Sequence, residues 1–157
     1  MRYPKKWISI DPGFNTGVAI WEKEKLIGSS LLVAPDNTNM DLPERIEYLL
    51  TLLTEIYDRN PPEAIIIEGV YLFGDALRSI TSARRGDLFK LAYVVGAYMC
   101  LSFGYTSVII IKEAREWKGQ LPDAVVMKRI KKLYPKCSFS IHEADAIGIG
   151  LNYLGLF

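Results

Sequence analysis

In the first part of the chain, apolar positions come in short runs broken by polar turns. Trp7-Ile8-Ser9-Ile10 leads into Asp11, and Val18-Ala19-Ile20-Trp21 follows the turn Pro12-Gly13-Phe14-Asn15-Thr16. Leu26, Ile27, Leu31, Leu32 and Val33 come after the polar stretch Glu22-Lys23-Glu24-Lys25. Runs of this length between turn residues predict three strands, Trp7–Asp11, Gly17–Glu22 and Lys25–Val33. The period then changes. Ile46, Leu49, Leu50, Leu53 and Ile56 recur at helical spacing. Asp41 stands at the N-cap position, with Pro43 in the first turn and Glu44 three residues on, the pattern of a capping box. Asn60-Pro61-Pro62 ends that helix.

Ala64-Ile65-Ile66-Ile67 is an unbroken, mostly β-branched run closed by Glu68, which suits a central strand buried on both faces. Residues 69–83 carry no regular pattern beyond one helical turn. Asp87 to Phe103 reads as a helix that is apolar nearly all round, ended by Gly104. Thr106–Ile111 predicts another buried strand. Residues 112–121 form a basic, Trp-containing connection, and Pro122–Tyr134 and Ile141–Leu154 predict the last two helices. The order βββ-α-β-α-β-α-α gives an α/β protein, a mixed five-stranded sheet with helices on both faces. With 157 residues and neither repeat nor linker, the expectation is a single domain over residues 1–157.

Composition narrows the class. Half of the residues are apolar and 24% are charged, as in water-soluble globular proteins. The N-terminus has no signal-peptide pattern. The longest greasy segment, Leu91 to Phe103, is too short to span a bilayer, so no membrane partner is expected. Cys100 and Cys137 lie in no disulfide or zinc motif, which points to a reducing cytoplasm. The net charge of +1 hides an asymmetry: residues 1–78 hold 12 acids against 8 bases, and residues 79–157 hold 6 against 11. An acidic half beside a basic half is compatible with a metal-loaded acidic site flanked by phosphate-binding surface.

The acids stand in deliberate places. Asp11 ends the first strand and Glu68 ends the central one, so on neighbouring strands the two carboxylates share one sheet edge. His142 and Asp145 are three apart on a helix and can face the same site, whereas Glu143 is turned away, toward solvent or a surface contact. Buried acids repel, and such a cluster is tolerable mainly around a cation. Carboxylates favour Mg²⁺ or Mn²⁺, and one imidazole tilts the choice slightly toward Mn²⁺. Two such ions about 3.5–4 Å apart can activate water and stabilise a leaving oxygen in phosphodiester hydrolysis.

Ile10-Asp11-Pro12-Gly13 with Thr16-Gly17, Ile67-Glu68, and His142-x-x-Asp145-Ala146 together resemble the RuvC-type four-way (Holliday) junction resolvases. The resemblance runs over most of the chain. It implies the ribonuclease-H-like fold and an endonuclease that cuts the junction by paired symmetric nicks, leaving 5′-phosphate and 3′-hydroxyl ends. It also implies two divalent metals held by Asp11, Glu68, His142 and Asp145, although many relatives have Asp where this chain has His142. An aromatic three residues after the strand acid, here Tyr71 with Phe73 nearby, is implied to wedge into unstacked bases, where stacking is worth about 1–3 kcal/mol per base. Lys112 matches a lysine just after the fifth strand. Lys118 is the nearest candidate for a second lysine, at a shorter spacing than the family pattern. Arg84 and Arg85 are further phosphate contacts by charge. The Leu88–Phe103 helix is implied to form a homodimer, whose two-fold symmetry suits two symmetric cuts.

Other readings differ in substrate or class. The same nuclease chemistry could act on flap or other branched DNA, an RNA–DNA hybrid or structured RNA. An actin-like ATPase fragment would also open with a strand ending in Asp, but this chain lacks a second Gly-rich phosphate loop. A non-catalytic junction-binding protein would bind without cutting under any divalent metal.

Overall fold

The computed structural model describes residues 3–36, 39–70 and 86–157. A single five-stranded sheet runs in the order β3-β2-β1-β4-β5, from β1 (Lys6–Asp11), β2 (Asn15–Glu22), β3 (Lys25–Val33), β4 (Ala64–Gly69) and β5 (Ile109–Glu113). β2 is antiparallel to β1 and β3, whereas β1, β4 and β5 are parallel. The predicted mixed sheet is therefore present, and β4 occupies the inner position expected of its Ile-Ile-Ile run.

Five helices flank the sheet among the described residues: α1 (Leu42–Arg59), α2 (Asp87–Phe103), the single turn α3 (Ala114–Trp117), α4 (Asp123–Leu133) and α5 (Ile141–Tyr153). Period-2 alternation divides the apolar side chains between two cores. Ile8, Ile10, Ile65 and Ile67 pack on one face with Leu49, Leu53 and Tyr57 of α1 and Val94 and Tyr98 of α2. Trp7, Trp21 and Ile66 pack on the other with Val126 and Ile130 of α4 and Ala146, Ile147 and Ile149 of α5. The Trp7 and Trp21 rings, opposite each other in the β1–β2 register, stack with centroids 4.9 Å apart.

Two strands differ from expectation by more than one residue. β2 begins at Asn15, because the turn after Asp11 is closed tightly by the Thr16 hydroxyl, which donates to the Gly13 carbonyl at 2.5 Å. β5 starts late and ends late. The Thr106 hydroxyl donates to the Glu63 carbonyl and accepts from the Val108 N–H, a local turn that holds Thr106 to Val108 off the ladder. Lys112 consequently lies inside β5, opposite Glu68, rather than just after the strand. The α1 cap is as read: Asp41 accepts from the Glu44 N–H and Glu44 accepts from the Asp41 N–H.

Candidate active site

Parallel pairing of β1 with β4 places Ile10 beside Ile67, so Asp11 and Glu68 emerge as neighbours at the C-terminal ends of adjoining strands. The third contributor, α5, is fixed over that edge by contacts made with backbone. The Ser9 hydroxyl donates to the Ala146 carbonyl at 2.7 Å and itself accepts from the Trp21 indole N–H at 2.9 Å. Gly17, paired with Asp11 in the ladder, lies directly beneath the His142 carbonyl; a Cβ there would stand 1.9 Å from that oxygen. The helix therefore starts where it does because position 17 has no side chain.

His142 Nδ1 meets Asp11 Oδ2 at 2.8 Å. Asp145 is buried, 6% exposed, and accepts from the Lys118 ammonium at 2.8 Å through Oδ2, while its Oδ1 has no hydrogen-bond partner among the described residues. Glu68 accepts from the Trp117 indole N–H at 2.7 Å. Burial, together with the charge of Asp11, pushes Glu68 up to about 7. Burial also raises Asp11, against the pull of His142 and Lys118, and raises Asp145 against the pull of Lys118. The hydrogen bond to Asp11 raises His142. At Lys118 burial works the other way, but the contact with Asp145 outweighs it and holds the ammonium protonated. Lys118 thus lends one positive charge to an edge that holds three carboxylates.

Among the described residues, no three His, Cys, Asp or Glu groups stand close enough to enclose one metal ion. The acids are instead engaged in pairs, with His142, Lys118 and Trp117. In donor chemistry they suit a divalent cation: three carboxylates and an imidazole line one sheet edge, and among the described residues one buried carboxylate oxygen, Oδ1 of Asp145, has no partner.

The structure gives several of the expected residues definite partners. Glu143 takes the contact rather than the solvent. It accepts from the Ser29 hydroxyl of β3 at 2.8 Å, and it closes a capping box with Ser140 at the start of α5. Lys112 donates to the Asn152 side chain at 2.6 Å, tying β5 to α5. Lys118 sits among the acids despite its irregular spacing, because one-turn α3 delivers it there. Trp117 was not singled out by sequence. Its ring reaches Glu68 because Gly148 of α5 leaves room for it; a Cβ at 148 would lie 2.5 Å from the indole. Tyr71, Phe73, Arg84 and Arg85 lie outside the described residues.

The raised carboxylates and the raised imidazole have one sign. A folded state that holds protons more tightly than the unfolded one is most stable below the unfolded pKa values and loses that advantage as pH rises through the folded ones. For Glu68 the window runs from the ordinary glutamate range to about 7. In EDTA, thermal melts should show Tm falling from pH 5 to pH 8. Glu68→Gln should flatten much of that slope, a difference on the order of 1–3 kcal/mol at the alkaline end. A Tm that rises over this interval would contradict the site's electrostatics.

No protein-family model matches the chain. Over 152 residues, 92% of this chain, it is 27% identical to proteins named crossover junction endodeoxyribonuclease RuvC from Citrifermentans bemidjiense and from Geobacter sp. strain M21, and the match spans 88% of each. The RuvC of T. thermophilus, solved with a Holliday junction substrate, superposes with a TM-score of 0.69 at 18% identity, covering 96% of this chain and 97% of that one. The fowlpox virus resolvase, solved with Holliday junction DNA, superposes with a TM-score of 0.58 at 13% identity, covering 96% and 99%. The yeast mitochondrial Holliday junction resolvase gives 0.64 at 12%, covering 98% and 81%. The chain is thus similar to proteins named crossover junction endodeoxyribonuclease RuvC along nearly its whole sequence, and to solved Holliday junction resolvases in the fold that its five strands build.

Proposed function

We propose that this protein is a divalent-metal-dependent endonuclease that resolves four-way DNA junctions by paired symmetric nicks. The meeting of Asp11, Glu68, His142 and Asp145 at one sheet edge supports this most directly, in a chain similar to proteins named for that activity. Asp11, Glu68, His142 and Asp145 would hold two Mg²⁺ or Mn²⁺ ions. Bound there, such ions lower the pKa of water and offset charge that builds on the phosphate.

The protein's own groups have separable tasks. Trp117 fixes one oxygen of Glu68, and Asp11 fixes His142 through Nδ1. That leaves Nε2 as the open ring nitrogen, which would ligate a cation where one is bound and take or give a proton otherwise, on a side chain that is 42% exposed. Lys118 holds only Oδ2 of Asp145, so Oδ1 would stay open to a cation, and the ammonium stands at the same edge, where it would meet a DNA phosphate. Among the described residues no helix is long and apolar enough to cross a membrane. Two free, exposed cysteines suit a reducing cytoplasm.

The partner for α2 would be a second copy of the chain. Phe89, Tyr93 and Phe103 are 60–63% exposed, and Ala92, Gly96 and Cys100 lie between them on the same stripe. Nothing lies within 4 Å of a Cβ built at Gly96, which leaves a slot for a facing side chain. Tyr93→Glu should weaken self-association by about 30-fold or more, the loss of a hot-spot aromatic, and turn paired cuts into independent nicks. Sedimentation over a concentration series checks it; an unchanged monomer–dimer balance would remove α2 from the interface.

The deciding experiment is cleavage of a labelled immobile four-way junction beside duplex, flap and RNA–DNA hybrid controls, in Mg²⁺, Mn²⁺ or EDTA. Paired symmetric nicks confined to the junction, and absent in EDTA, are expected. Equal cutting of every substrate would keep the nuclease and discard the junction. Binding without cutting in either metal would leave a junction-binding protein.

A further inference from the structure

Beside the catalytic turn lies a second cleft, of about 300 Å³, on the α1 and α2 side of the sheet. Its floor is Gly13 and Phe14, two and three residues after Asp11, and its walls carry Arg45 from the first turns of α1 and Lys90 from α2. The Arg45 guanidinium lies over the Phe14 ring, 4.1 Å from its centroid. A cation in that position is oriented by the ring's negative face, and its edge donors remain available. They are under-used. Among the described residues Arg45 Nε has no hydrogen-bond partner. Among the described residues its only carboxylate is that of Asp36, at 3.8 Å and 98% exposed, beyond hydrogen-bond reach. Lys90 is held no more firmly, since its ammonium is 3.8 Å from Asp87, whose carboxylate is 59% exposed and lines the same cleft.

A guanidinium clamped on an aromatic ring, with spare donors and a second cation across the cleft, has the chemistry of a phosphate seat. The two acids nearby are solvent-facing, and their contacts are long enough for an incoming phosphate to displace. We propose that Arg45 and Lys90 hold a backbone phosphate of the DNA next to the one being cut. Because Arg45 stacks on the residue three after Asp11, a phosphate held there fixes the strand relative to the catalytic turn. The inference rests on the nuclease reading for its choice of DNA as the source of the phosphate.

The test measures DNA binding in EDTA against salt for the wild type and for Arg45→Met, Arg45→Lys and Lys90→Met, on plain duplex as well as on the junction. A lost phosphate contact lowers the slope of log K against log salt by about 0.9. Arg45→Met and Lys90→Met should each lower it by about that much on both DNAs and weaken binding several-fold at low salt, and Arg45→Lys should restore most of the slope. Lys90 is half-exposed, so its variant keeps the fold even if Arg45→Met loosens the Phe14 turn. In parallel, the Arg45 Nε–Hε NMR signal should shift on titration with inorganic phosphate, which a purely structural stack on Phe14 would not produce. Unchanged slopes with a folded protein would overturn the proposal. So would a phosphate-dependent shift with no effect on DNA, which would leave a site for a free anion. A wild type without junction preference whose slope still falls in the variants would remove the junction reading and keep this one.

Discussion

Asp145→Asn should abolish cleavage, by at least about 100-fold, and leave junction binding intact. The side chain is buried among Lys118, Glu68 and Asp11, and its Oδ1 lacks a partner while Oδ2 is held by Lys118 at 2.8 Å. Asparagine has the same shape and can still accept from Lys118, so the fold should survive. Burial already raises the Asp145 carboxyl, so removing its charge relieves the cost of burying it in the metal-free protein, and its Tm should hold or rise. What asparagine cannot supply is the negative charge that draws a divalent cation. Single-turnover cleavage, binding in EDTA and a melt on the same preparation separate these effects. Undiminished cutting by the variant would end the assignment of the acidic edge as the active site.

Gly17→Ala is expected to be nearly as damaging for an entirely steric reason. Its new methyl carbon would lie 1.9 Å from the His142 carbonyl oxygen and 2.8 Å from the Glu143 nitrogen, all backbone and unable to swing aside. Either α5 lifts off the sheet or β2 shifts. Overpacking of this kind costs about 1–3 kcal/mol, and a displacement of about 1 Å between reacting groups can cost roughly 100-fold in rate. Both His142 and Asp145 would move with the helix. Gly28→Ala is the control, because the nearest atom to its Cβ would be 3.9 Å away. Removing glycine from a strand interior should there be neutral or mildly stabilising. Melts and cleavage rates of the two variants should diverge; a Gly17 variant that behaves like the Gly28 variant would show that α5 is free to slide.

The acids were readable from sequence because each sits where local pattern meets a boundary. Asp11 and Glu68 close apolar strands, and His142 and Asp145 share one helical face. Such features depend on period and position, which the chain carries locally. Trp117 was not readable: a one-turn helix has no period, and its indole reaches Glu68, 49 residues away in sequence, only because Gly148 opens a space on a third element. The partner of Glu143 is hidden for a related reason. Its capping partner Ser140 was in plain view three residues back, but Ser29 becomes a neighbour only when β3 lies beside α5. The late start of β5 turned on a single Thr106 hydroxyl bonding across to Glu63.

The way α5 completes both the sheet's second core and the acidic edge also bears on how the protein is made. A polypeptide whose synthesis stops before Ile141 holds Asp11 and Glu68 but neither His142 nor Asp145, and it leaves Trp7, Trp21 and Ile66 without Ala146, Ile147 and Ile149 to cover them. Such a fragment is both unfolded on that face and short of half its donor set. On the proposed reading a nascent or prematurely terminated chain should not cut, because two of the four acidic-edge groups arrive only with the helix that finishes the fold.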